Sequence, residues 1–305
     1  MNADVRGVSA AGRSARRKSR PISITTPRKS VLLTLVMGLM LIYTLTPVAW
    51  LLINSTKTQN SLSSSFGLWF SGPFSFFHNI AATFSYGNGE FLRWALNTVL
   101  YVVLGGGGAT ILATLGGYGL AHFTFPGKRA VMAIIIGAIA IPGTALAVPA
   151  YLMFSKFGLT NTPWSVVIPS LISPIGLYLI WVYATEAIPS GLLEAARLDG
   201  ASELRIFLSI GFRLIVPGFV TVLLLTFVAT WNNYFLPLIM LSTPNWFPLT
   251  VGLSNWSNQA PSAGGQLIDN LVITGSLLAI TPTVIVFLLM QRYWKAGITA
   301  GSIKE

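Results

Sequence analysis

Few residues in this chain can do chemistry, so where they stand matters more than how many there are. It carries 8 Asp and Glu, 19 Lys and Arg, 2 His and no Cys. Without thiols there is no disulfide, iron–sulfur or thiolate chemistry to consider. His78 and His122 lie far apart with no carboxylate at ligand spacing, so no metal site and no catalytic residue is expected. Two groups remain. One is Glu194-Ala195-Ala196-Arg197-Leu198-Asp199-Gly200-Ala201-Ser202, the densest charged stretch after the N-terminus, set between long apolar runs. The other is Trp231-Asn232-Asn233-Tyr234, extended at helical spacing by Thr226 and Thr230, the only dense polar-aromatic cluster within an apolar run. The first reads as a short water-exposed surface made to be gripped. Asn and Thr in the second serve ordinary hydrogen bonding between packed helices at least as readily as they serve a solute.

The elements that must position these groups are lipid-embedded helices. The composition is 53% hydrophobic and 9% charged, against about a quarter charged for a soluble domain, which points to a bilayer protein. A net charge of +11 could suit nucleic acid, but the cations cluster in a tail and in short loops, as topology would place them. Residues 1–30 are basic, with Ser, Gly and Pro between the charges, and read as a disordered tail. The apolar run Val31–Ile53 is too long for a signal core and has no small-residue cleavage site after it, so it reads as a first span. Further spans are expected at 94–121, 130–154, 164–183, 214–241 and 270–290, with a tail at 291–305. Residues 54–93 read as an external stretch with a short interfacial helix through Phe66, Trp69, Phe74, Phe76 and Phe77. Gly105–Gly108, Gly116, Gly117 and Gly119 suit either close helix packing or a hinge. Pro142 and Pro149 predict a kink in the third span.

Six spans put both termini on one side. Sixteen of the 19 Lys and Arg then fall on that side together with the Glu194 loop, and Lys57, Arg93 and Lys156 fall opposite, so the termini and the loop are expected to be cytoplasmic. No internal repeat is evident. No Asp, Glu, Lys, Arg or His stands inside any of these spans, which removes the buried carboxylate that an ion-coupled carrier usually needs. No GxxxxGK[ST] pattern occurs either, so a nucleotide-driven motor would have to be a separate subunit. In the loop, 186–213, Pro189-Ser190 can start a helix with Ser190 as N-cap. Leu192, Leu193, Ala195 and Ala196 recur on one side, and Gly200 suits a left-handed stop. Ser202-Glu203 opens a second short helix. An ordinary amphipathic connector lying on the membrane is the alternative on composition alone.

The Glu194–Ala201 stretch, continuing to Phe207, Ile210 and Pro217, resembles the EAA loop of ABC importer permeases. Phe125-Pro126-Gly127-Lys128-Arg129, Ile141-Pro142, Val148-Pro149, Gly158-Leu159-Thr160-Asn161-Thr162, Trp231–Tyr234 with Pro237-Leu238, Gln291-Arg292-Tyr293-Trp294 and Gly297–Gly301 are similar to the carbohydrate-type, maltose-like members. One departure is Phe212-Arg213 where the family usually has leucine-proline, which implies a changed membrane entry of the fifth helix. The resemblance implies an all-α polytopic membrane protein with six transmembrane helices and the MetI-like permease fold, in the bacterial cytoplasmic membrane. It implies a permease subunit of an ATP-driven sugar importer that works by alternating access. Its partners would be a second homologous permease, two ATPase subunits and an extracytoplasmic sugar-binding protein. ATP and Mg would sit on the ATPase, and no cofactor on this chain. Glu194 would be the main polar contact to the ATPase, Ala195 and Ala196 would permit close docking, Asp199 would brace the loop and Gly200 would set its corner. The C-terminal segment Arg292–Glu305 would face the ATPases. Thr230, Trp231, Asn232, Asn233 and Tyr234 would offer a sugar its hydroxyl partners and aromatic face. The rival is a stand-alone secondary carrier or channel for a small polar solute.

Overall fold

A computed structural model describes residues 30–259 and 268–300, with side chains through Gln291. The expected N-terminal tail and the last residues, 301–305, lie outside the described residues, as do the side chains of the segment expected to face the ATPases. Every regular element among the described residues is helical. Helix α1 (Val31–Ser55) is continuous and, at 1.5 Å per residue, about 37 Å long, enough to cross a hydrocarbon core. A unit boundary falls inside it, between Thr46 and Pro47, and the helix up to that point exposes nearly all its side chains.

The second unit begins at Pro47. Its first part is not a bare loop. Short helices α2 (Gln59–Ser64) and α3 (Phe76–Ser85) occupy it. Phe76 and Phe77 belong to α3, but Phe66, Trp69 and Phe74 lie outside any helix, so the single aromatic helix expected there does not form. The reason is local: Gly67, Gly72 and Pro73 interrupt the run, and Gly72 takes φ +74°. The side-chain amide of Asn79, 1% exposed, donates to the carbonyls of Ser55 (2.9 Å) and Lys57 (2.8 Å) and so ties α3 to the end of α1.

The next span is longer than its apolar run suggests. It starts at Glu90, in α4 (Glu90–Tyr101), passes through a π-helical turn at Val102–Gly107, and ends in α5 (Gly108–His122). The third span is two helices, α6 (Lys128–Ala140) and α7 (Ala147–Lys156), with a short 3₁₀ turn between them. Their axes bend by 98° across Ile141-Pro142, far more than a kink. Ile141 is extended, as a residue before proline prefers to be. The fourth span pairs α8 (Trp164–Ser170) with α9 (Pro174–Ala187), and Ser173 caps α9 by accepting from the Gly176 amide at 3.2 Å.

The most extensive helix–helix contact among the described residues lies between α5 and α9. A side chain at Gly117 would stand 2.7 Å from Ile180 and 2.9 Å from the Leu177 carbonyl oxygen, so glycine alone permits this approach. Gly106 meets the fifth span in the same way, against the Thr226 carbonyl oxygen at 3.1 Å. After α10 (Ser190–Leu198) and α11 (Glu203–Ile206), a second π turn at Phe207–Gly211 leads into α12 (Phe212–Trp231). Phe212-Arg213 therefore produces no break: helix is continuous from Glu203 to Trp231. The fifth span ends at Trp231 rather than at 241, because Asn232–Tyr234 leave helical geometry before α13 (Phe235–Met240). Then come α14 (Leu249–Gln259) and α15 (Asp269–Ala300), which runs as helix well beyond 290. Among the described residues, five helical segments are long and apolar enough to cross a membrane, or six if the bent α6–α7 pair counts as one.

Among the described residues, two buried clusters hold the second unit. One gathers at the start of α4, where Phe91, Trp94 and Trp256 pack with Trp94 and Trp256 ring centres 4.8 Å apart. The other gathers at the far end of the same span, where Tyr118, Ile180, Ala184, Ile206, Phe207 and Ile215 enclose one face of α10.

Candidate functional site: the coupling loop and the end of the fifth helix

The loop after α9 is built from backbone rules before side chains enter. Pro189 takes the capping position with extended geometry, so Ser190 is the first helical residue and not the cap expected of it. At the other end, the Ala201 amide donates to the Ala196 carbonyl (3.1 Å) and the Gly200 amide to the Arg197 carbonyl (3.0 Å). These two bonds form a Schellman stop, and it needs a left-handed residue at position 200. Gly200 supplies it at φ +78°. Asp199 is the C-cap, with its own amide donating to the Ala195 carbonyl at 3.0 Å.

Helix α10 is amphipathic, and its inner face is narrower than the sequence pattern suggests. Leu193 and Ala196, three residues apart, are buried in the Tyr118–Ile215 cluster. Leu192, Glu194, Ala195 and Leu198 are exposed, Leu198 at 90%. Ala196 therefore packs on the chain's own core. The reason is that Leu-Leu-Glu-Ala-Ala fits two helical faces equally, and only the packing against Tyr118 and Phe207 selects one. Across the Gly200 corner, Arg197 donates twice to Glu203, from Nε to Oε1 (2.6 Å) and from Nη2 to Oε2 (3.2 Å). This bidentate pair joins α10 to the helix that continues into α12, and the Glu203 hydrogen bond raises the Arg197 pKa further. Beneath the corner the Tyr118 ring lies 4.9 Å from Phe207, and its edge leaves no room for a side chain at Gly211.

The second group divides by burial. Trp231 is 7% exposed, donates to the Ala279 carbonyl at 3.0 Å and stacks on Phe227 with ring centres 5.5 Å apart. Thr230 is buried beside Gly106. Thr226 exchanges a hydrogen bond with Thr110 at 2.8 Å across two helices. All three are held in contacts within the bundle. Asn232 and Tyr234 are exposed, Asn233 is half-buried, and the Tyr234 hydroxyl lies 3.0 Å from that of Ser254. Among the described residues no cluster of His, Asp and Glu could hold a metal ion.

Sequence reasoning missed how the stretch after α13 is fastened. One face of α4 holds it. Trp94 donates to the Pro244 carbonyl (3.0 Å), Asn97 to those of Asn245 (2.8 Å) and Phe247 (3.0 Å), and Tyr101 to that of Trp246 (2.7 Å). Asn161 accepts from the amides of Ser242 and Thr243, each at 3.0 Å. Donors at positions 94, 97 and 101 of one apolar run share a helical face, and that spacing was the available signal.

A helical bundle with segments of membrane-crossing length, carrying an exposed helix–corner–helix between two of them, defines a multi-pass membrane protein. The chain belongs to the family described as binding-protein-dependent transport system inner membrane component, whose sequence profile matches residues 109–297. It is 28% identical over 275 residues to the arabinooligosaccharides transport system permease protein AraQ of Bacillus subtilis, covering 90% of this chain and 95% of that one. It is 30% identical over 265 residues to the melibiose/raffinose/stachyose import permease protein MelC of the same organism, covering 85% and 91%. Its fold matches a subunit in the crystal structure of a bacterial ABC transporter that imports the acidic polysaccharide alginate, with a TM-score of 0.75 at 21% identity, over 86% of this chain and 95% of that one. The chain is a permease subunit of an ABC importer, of the MetI-like fold, a multi-pass protein of the plasma membrane. ATPase and binding-protein partners belong to such importers generally, and the stand-alone carrier is not favoured.

Proposed function

We propose that the cargo is a sugar and that this chain forms half of the translocation path, paired with a second homologous permease above two ATPase subunits. Helix α10 is its coupling element. Glu194 and Ala195 meet the ATPase, while Leu193 and Ala196 anchor the helix to the bundle. The observation that carries this reading is the corner at Gly200. It is closed by two backbone bonds and bridged by Arg197–Glu203, so displacement of α10 passes directly into the continuous helix Glu203–Trp231. Closure of the ATPases on ATP then re-aims α12 and switches the access of the path. ATP and Mg stay on the ATPases. The loop and both termini are cytoplasmic, as the Lys and Arg distribution supports. A binding protein outside delivers the cargo.

A sugar cargo is supported by the relatives, named for arabinooligosaccharides, for lactose and for melibiose, raffinose and stachyose. Of the polar-aromatic cluster, Asn232, Asn233 and Tyr234 are the residues left free to meet it, and Thr230 and Trp231 set the end of α12. The test is purification of the co-expressed importer through this chain, with Glu194→Lys as the variant. The native chain should bring down a second permease and an ATPase. The variant should retain the permease and lose the ATPase together with ATP-driven uptake. Normal uptake by the variant would overturn the role given to α10, and solute uptake by the chain reconstituted alone would overturn the importer assembly.

A further inference from the structure

The segment Phe125-Pro126-Gly127-Lys128-Arg129 takes no part in the coupling loop or in the cluster after α12, yet it borders a cleft of about 570 Å3 between α6 and α9. Thr124, Lys128 and Arg129 stand among its lining residues together with Phe125, Met132 and Trp181. The local geometry is set by Gly127, whose φ of +83° starts α6 so that both cations fall in its first turn. That is the unfavourable end of a helix for positive charge, so α6 gains nothing from them. No carboxylate compensates them either, because the one ion pair among the described residues is Arg197–Glu203. Lys128 donates to the Phe123 carbonyl at 3.1 Å, which holds its ammonium at the cleft and leaves further donors free, and Arg129 is exposed. Beyond them, α6 has no buried residue and exposes Val131, Ile134, Ile136 and Ile139. Trp181 is half-buried, a ring type that favours the headgroup layer. The lining thus joins two uncompensated cations to an aromatic wall and a long apolar helix face. That order matches an amphiphile with an anionic head and acyl chains, and basic pockets between membrane helices take such lipids.

We propose that this cleft binds an anionic phospholipid, with its phosphate at Lys128 and Arg129 and its chains along Met132, Trp181 and the exposed face of α6. A topological role explains why cations stand at this end of α6, but it requires neither the cleft nor the tryptophan. The proposal does not depend on the cargo or on the path residues named above.

The test uses the complete importer in bilayers of phosphatidylcholine with a minor share of phosphatidylglycerol. After extraction into detergent, the lipid retained is measured by mass spectrometry. The native complex should retain phosphatidylglycerol well above its share in the bilayer. Each cation near an anionic surface contributes roughly a fivefold preference, so Lys128→Gln with Arg129→Gln should lower that enrichment by an order of magnitude or more. Arg129→Gln alone, at an exposed position, should lower it about fivefold, and Lys128→Arg should keep it. Arg213→Gln, also exposed but outside the cleft, should leave it unchanged; an equal loss there means diffuse surface charge and overturns the proposal. Displacement of the lipid by free glycerol phosphate as readily as by phosphatidylglycerol would mean an anion site without a lipid role and would also overturn it. So would absence of enrichment together with cross-links from Lys128 to an acidic surface of a partner subunit.

Discussion

At the scale of single residues, the Arg197–Glu203 pair carries more consequence than its energy suggests. Both side chains are partly exposed, so solvent and salt screen their attraction, and stability should scarcely notice their loss. Their position is what matters, because they span the corner between α10 and the fifth membrane helix. If that corner transmits motion, Arg197→Glu or Glu203→Arg should loosen it, with ATP hydrolysis continuing while uptake per ATP falls severalfold. The double exchange should restore much of the ratio. Equal ratios in the single variants and the native importer would show the pair to be an ordinary surface contact. A second comparison separates packing from path. Thr226→Val removes the hydroxyl shared with Thr110 and should cost about 0.6–1.7 kcal/mol of stability without changing the apparent affinity for cargo. Asn232→Ala, at an exposed position, should do the reverse, and thermal unfolding beside uptake titrations would read both. The role of Gly200 was legible in the amino-acid pattern, because a helix stop followed by a new helix calls for a left-handed residue. That of Ala196 was not. Its neighbours Leu192, Leu193 and Ala195 offered two possible inner faces, and the choice depended on Tyr118 and Phe207, far away along the chain or beyond the corner.

At the scale of elements, apolar length was enough to find the spans, but not how they begin, bend or end. Polar ends such as Glu90 and Arg93 join a helix when their own side chains find partners: Glu90 accepts from Trp256 at 3.0 Å and Arg93 hydrogen-bonds Asn245. Proline marked the break at Pro142, yet a proline alone says nothing about its size, and the 98° bend comes from extended Ile141 and the 3₁₀ turn that follows. The two π turns had no signal, since no residue type demands them. Glycine is where element and packing meet. The close-packing reading of the glycine-rich span holds at Gly105 and Gly106, which lie within a π turn and press on Ser170 and Thr226. Further along, two glycines two residues apart give a controlled test. Gly117 faces Ile180 and the Leu177 backbone, whereas a side chain at Gly119 would meet nothing within 4 Å. Gly117→Ala should therefore force α5 from α9 and cost about 1–3 kcal/mol. Gly119→Ala should be neutral or slightly stabilising through helix propensity. Melting temperatures of the two purified variants would check this, and equal losses would show that helix flexibility rather than contact governs the α5–α9 pair.

At the scale of the molecule in its assembly, the exposed apolar residues fall into two kinds. Those of α6, such as Ile134 and Ile136, belong to a helix of membrane-spanning character and can be covered by lipid. Leu198 cannot. It lies at the end of α10, beside exposed Arg197, Asp199 and Gly200. At 90% exposure it is an apolar group standing among exposed polar and charged residues. Leu192 and Leu204 are also exposed close by in the chain. Scattered surface leucines need no explanation, but several on one short loop mark a surface that another protein covers. In the proposed assembly that protein is the ATPase, and Leu198 rather than Ala196 supplies the apolar contact beside Glu194. Fully burying a leucine contributes about 1.5–3 kcal/mol. Leu198→Ser should then weaken ATPase association by about 10- to 100-fold. The fold should remain, because a side chain this exposed contributes little to the core. The measurement is ATPase titration against the purified permease pair in detergent, with melting temperature as the control for folding. Unchanged affinity would place the docking surface elsewhere on the loop. Equal loss of affinity and melting temperature would mean that Leu198 supports α10 itself.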